Sequence, residues 1–158
     1  MNANAAIGVG LLPSGCETTL SELREDPGER IAFHIAAPYS IVRPNIENTI
    51  RHCHKDSSTG PMNRFIVRSE ETANGGATVT LWQEGYRTRP LYAVDMKETG
   101  TGTDVTFYQG PYNIFADYKP TVRGWALGSG KCDGAFPPKP AVPPMVKPLP
   151  ADTAITPI

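Results

Sequence analysis

Apolar and polar residues alternate along several short stretches of this chain, and two longer stretches switch to the spacing of a helix. Ile31, Phe33 and Ile35 alternate with Ala32, His34 and Ala36, the period of a strand with one buried face. Pro38 ends that run. Ser40 is then placed to cap a helix whose apolar stripe is Val42, Ile46, Ile50 and Cys53, at spacings of 4, 4 and 3. Pro44 would sit in its first turn, where the missing N–H costs least. The polar run 55–60 would close it.

Four more strands are predicted downstream. Phe65 and Val67 alternate, as do Val79 and Leu81, then Tyr92, Val94 and Met96, then Val105 and Phe107. Between them lie NGG, EGYRTRP and TGTG, all rich in turn formers. Links this short favour antiparallel neighbours. From Tyr112 the helical period returns with Ile114, Tyr118, Val122 and Trp125. Pro120 is expected to kink or split that helix, and Gly128 and Gly130 to end it. The predicted order is β-α-β-β-β-β-α. This is an α+β fold, an antiparallel sheet of about five strands with two helices on one face.

Composition adds limits. The chain has 158 residues, 39% hydrophobic and 20% charged, which suits one globular domain flanked by other segments. Its net charge is −1, from 15 basic and 16 acidic residues scattered along the chain. Nothing in that balance draws it to nucleic acid or to an anionic membrane. No apolar run approaches the roughly 18 residues of a membrane-spanning helix. Half of the 16 prolines lie between Pro137 and Pro157, so a boundary is placed near Phe136. Residues 136–158 are expected to be an extended, proline-rich tail. It would act as a spacer or, through Pro140–Pro143 and Pro144–Pro148, as a docking peptide for another envelope protein.

Ahead of the first strand, Ala5 to Leu12 is a run of eight apolar or small residues, followed by PSGC at 13–16 and then Glu17, Thr18 and Thr19. A short apolar run ending in small residues is the form of an export signal. The stretch resembles the lipobox of bacterial lipoproteins. That resemblance implies cleavage before Cys16, acylation of its thiol, and anchoring of the mature chain to a membrane through the lipid. Glu17 is not the aspartate associated with retention in the inner membrane, so the resemblance implies the periplasmic face of the outer membrane. Residues 1–15 would be the leader, 16–29 a tether, 30–135 the α+β domain and 136–158 the tail.

The chain has three cysteines, Cys16, Cys53 and Cys132, and an odd count in an exported protein needs a reason. Lipidation of Cys16 supplies one. Cys53 and Cys132 can then pair in an oxidising compartment; the alternative is two free thiols. A bond across so long a loop stabilises by roughly 4.5 kcal/mol in the chain-entropy description.

Candidate chemistry is sparse. His52, Cys53 and His54 look like metal ligands, with His34 and Cys132 the other obvious donors. Residues two apart on a helix diverge by roughly 200°, so a helix terminus is the expected reading and no metal is assigned. GSGK at 128–131 lacks the serine or threonine and the strand–helix context of a phosphate loop. TGTGTD at 99–104 reads as a hairpin turn. Asp95 and Asp104 are not assigned as a pair, and no histidine has a partner that sequence can place. No catalytic residue and no cofactor is expected.

As an ordered set, PSGC, ELREDPGERIAFHIAAPYSIV, IRHC, GTDVTFYQ and GWALGSGKC resemble a loose class of small bacterial lipoproteins. The element order resembles a small helix-grip or START-like domain, in which a curved sheet wraps a C-terminal helix. Together they imply an exported, anchored, disulfide-clipped domain that is not an enzyme. A cavity left between sheet and last helix would instead take a lipid-like ligand.

Overall fold

The alternation of Ile31, Phe33 and Ile35 becomes a strand because its partner alternates in phase. Phe33 lies opposite Val105 and Ile31 opposite Phe107, and Phe33, Ile35, Val105 and Phe107 are all fully buried. In the computed structural model, which describes residues 18–54, 63–85, 87–111, 118–132 and 147–158, nine elements follow one another. They are α1 (Leu20–Glu25), β1 (Glu29–Ile35), α2 (Tyr39–His54), β2 (Asn63–Glu71), β3 (Gly76–Gly85), β4 (Arg89–Thr99), β5 (Gly102–Gln109), α3 (Lys119–Ala126) and β6 (Ile155–Pro157).

The fold is α+β, with one antiparallel sheet of six strands in the order β2-β3-β4-β5-β1-β6. The seven expected elements occur in the expected order, and α1 and β6 are added at either end. The β4–β5 turn approaches β1 closely. Gly102 has φ +154°, and a Cβ there would lie 2.0 Å from the Ile35 carbonyl oxygen, so only glycine fits.

One face of the sheet carries the main core. Val79, Val94 and Phe107 pack beneath Val42, Ile46 and Ile50 of α2 and Val122 and Trp125 of α3. The two expected helices, α2 and α3, share this face; the additional helix α1 lies on the other. Arg24 on α1 pairs with Asp95 and Thr78, which alternate with Val94 and Val79 and therefore point to the opposite face.

That helix corrects the tether expected over 16–29, of which residues 18–29 are described. Thr19 caps α1, and Glu22 bonds back to the Thr19 N–H at 2.6 Å, a complete capping box. Leu23 is 1% exposed. Burying it stabilises the contact by about 2 kcal/mol.

Both prolines fall elsewhere than expected. α2 begins at Tyr39, so Ser40 lies inside it and Pro44 is past the first turn. The Ile41 and Val42 N–H groups reach the Pro38 carbonyl instead of a Ser40 cap. Pro120 lies in the first turn of α3, where it needs no N–H, and does not kink it. Ile114 and the rest of 112–117 lie outside the described residues.

The tail is corrected in part. Residues 136–146 lie outside the described residues, but 147–158 run back over the domain as a strap. Buried Asn45 holds the Lys147 backbone at both polar groups: Nδ2 donates to its carbonyl at 2.8 Å and Oδ1 accepts from its N–H at 2.7 Å. Gly128 at φ +79° makes room, since a Cβ there would lie 2.6 Å from the Lys147 oxygen. The Leu149 N–H bonds the Leu127 carbonyl, Leu149 packs on the core, and β6 pairs with β1.

Candidate functional site

The cysteines mark the first candidate region. Cys53 ends the apolar stripe of α2, and Cys132 follows the two positive-φ glycines after α3, Gly128 and Gly130. Those glycines turn the chain so that the two sulfurs meet at 2.09 Å, with Cα atoms 5.3 Å apart and 79 residues between them in sequence. Both residues are buried. The Trp125 indole N–H donates to the Lys131 carbonyl at 2.7 Å, fixing the same turn from inside the core. Cys16, the expected lipid site, lies outside the described residues, as do the leader and Glu17.

The histidines beside Cys53 part company. His54 is 3% exposed and faces Phe65, Tyr92 and Tyr118, with ring centroids 6.3, 6.0 and 5.9 Å away. His52 is half-buried. Among the described residues, no three His, Cys, Asp or Glu side chains are grouped to hold a metal ion.

His54 belongs to an aromatic cluster between the sheet and α3. Tyr92 is its centre, 5.1 Å from Tyr118, 5.5 Å from Phe107 and 6.3 Å from Trp125 between centroids. Such offset rings fill space and attract one another. Burial pushes the Tyr118 hydroxyl up to about 12 and the Tyr92 hydroxyl well above the usual phenol range. The Tyr92 hydroxyl is shielded from solvent and has no hydrogen-bond partner among the described residues.

A second group lies on the opposite face. His34 and Asp104 are cross-strand partners in β1 and β5, and His34 Nδ1 lies 2.8 Å from Asp104 Oδ1. On the other side of the ring, Nε2 is 3.4 Å from the Thr101 hydroxyl. Thr101 also lines an open depression of about 290 Å³ with Pro38, Glu98 and Thr99. The residue types are those of a nucleophile relay, and the absence of any placeable histidine partner is corrected here. The Thr101 hydroxyl, at 3.4 Å, sits at the outer edge of hydrogen bonding. The contacts describe a histidine held between a cross-strand aspartate and a hairpin threonine.

Asp95 and Asp104 serve different partners. Arg24 grips Asp95 through two nitrogens at 2.9 and 2.7 Å, and Thr78 donates to it at 2.7 Å. This docks α1 on the sheet. Sequence reasoning missed that contact, although Thr19 and Glu22 stand at capping-box spacing and announce a helix. It also missed the Asn45 clamp, which no local pattern announces.

Comparison of the chain with protein families, with curated proteins and with solved structures found no match. Among the described residues, no helix is long and apolar enough to cross a membrane.

Proposed function

We propose that this chain is an exported lipoprotein anchored through Cys16, whose α+β domain has a structural or interaction role in the cell envelope rather than a catalytic one. The observation that carries the reading is the buried Cys53–Cys132 pair at bonding distance. Disulfides persist in oxidising compartments, and with those two cysteines joined, Cys16 is the remaining thiol, placed in the lipobox-like PSGC. Two or three acyl chains suffice for stable attachment. On this reading the domain is a small helix-grip in which α3 lies across the sheet. The outer membrane's periplasmic face is its location, and the proline-rich tail carries, through Pro140–Pro143 and Pro144–Pro148, a docking segment for another envelope protein.

The test is the intact mass of the protein from native membranes, with and without reductant. A mature chain starting at Cys16, with added acyl mass and one reducible bond, supports the proposal. A full-length product with three free thiols overturns it.

One observation favours a second reading, a carrier for a small apolar ligand with a polar end. The Tyr92 hydroxyl is buried in an aromatic cluster without a partner among the described residues, and a ligand oxygen would satisfy it. Native mass spectrometry of the purified protein separates the two readings. A co-purifying lipid lost in Tyr92→Phe supports the carrier, and a bare protein supports the structural module.

A further inference from the structure

β2 forms one margin of the sheet and, among the described residues, pairs only with β3. At its hairpin end the Thr72 N–H donates to the Gly76 carbonyl. Amides alternate along an antiparallel strand, so Phe65, Val67 and Ser69 turn their N–H and C=O groups away from β3. Arg51 on α2 agrees, because its Nη1 donates to the Val67 carbonyl at 3.2 Å. A margin nine residues long with outward amides is a template for another strand unless something guards it.

The charges along β2 are ordered. Arg64 stands toward one end and Glu70 and Glu71 at the other, with Arg68 just past the middle. Arg64, Arg68 and Glu70 share the face opposite the main core, where both arginines reach Glu84 of β3.

We propose that this margin binds a second copy of the chain by antiparallel β2–β2 pairing about a two-fold axis at Val67, joining two sheets into one. In that register Arg64 faces the partner's Glu70, Phe65 faces the partner's Ser69, and Val67 meets its own equivalent. Symmetry makes each unlike pair occur twice. Sliding one strand by two residues sets Arg64 against Arg68 in one direction and Arg68 against its own copy in the other. Like charges directly opposite are destabilising, so both adjacent registers are penalised and the full-length one is selected. Arg51, which Glu47 also holds through two nitrogens at 3.0 and 2.8 Å, need not leave, because a carbonyl oxygen accepts two hydrogen bonds.

The test is sedimentation of the full chain from about 5 µM to 1 mM, the range of small, transient interfaces. The expected result is a reversible dimer. Val67→Pro removes an outward N–H that the β2–β3 ladder does not use, and should give a monomer with unchanged circular dichroism. Glu70→Arg should weaken the dimer about tenfold by creating two Arg–Arg pairs. Arg64→Glu combined with Glu70→Arg should restore it. A monomer at every concentration overturns the proposal, as does a dimer indifferent to Val67→Pro. Should Val67→Pro fail to fold, the charge variants decide alone, and a dimer insensitive to Glu70→Arg overturns it.

Discussion

The two faces of the sheet are covered by different means. On the inner face, Phe33, Val79, Val94 and Phe107 are fully buried under α2 and α3, and those helices are tied twice more, by the disulfide and by the strap that Asn45 holds. The outer face carries Thr78, Thr80 and Asp95. Among the described residues its cover is one six-residue helix, docked through Leu23 and the Arg24–Asp95 pair. Large apolar contact with crosslinks resists local opening, whereas a short helix on one leucine and one ion pair opens first. The difference assigns stability to the inner face and leaves the outer face the more readily exposed.

Breaking the inner face should have the largest effect. Replacing both Cys53 and Cys132 by alanine is expected to lower the unfolding free energy by about 4.5 kcal/mol in the chain-entropy description, read from urea midpoints against the oxidised protein. Asn45→Ala comes next. It leaves the Lys147 N–H and carbonyl without their partner, at a cost of about 2–4 kcal/mol. Hydrogen exchange at Leu149 and Ile155 should quicken while exchange in α1 is unchanged. If the strap amides keep their protection, the clamp is not what holds them.

A pH scan sharpens the same face. Burial raises the Tyr118 hydroxyl from 10.0 to about 12, so the folded state keeps a proton that the unfolded chain releases sooner. Stability from this group is fully present below pH 10 and is lost as pH rises toward 12, by about 2–3 kcal/mol in all. Denaturation at rising pH should show that loss in the wild type and a shallower one in Tyr118→Phe. The outer face should respond least. Arg24→Ala is expected to cost about 1 kcal/mol or less, diminishing in high salt, with faster exchange confined to α1. A change that spreads to the strap would show that the two faces are coupled.

Much of the inner face could be read from the chain itself. The stripe Val42, Ile46, Ile50 and the alternations at Val79–Leu81 and Val105–Phe107 record which side of each element is apolar, and those sides meet in the core. The outer face was harder to read because α1 contributes a single buried apolar residue, Leu23, too little to make a period. β6 was hidden for a related reason: it has three residues, one of them Pro157, and proline-rich sequence suppresses any strand signal. The His34–Asp104 contact spans 70 residues and depends on which strand lies beside β1.

The sequence by itself determined the local periods, the glycine turns and an odd number of thiols, because these depend on neighbours a few residues apart. The tertiary structure alone decided that Cys132 reaches Cys53, that Asn45 seizes the strap, that Arg24 finds Asp95 and that β2 is left at the margin. Each of these is a choice of partner among distant segments. It is set by the register of the whole sheet and by how every apolar face is covered at once, which no short window of residues contains.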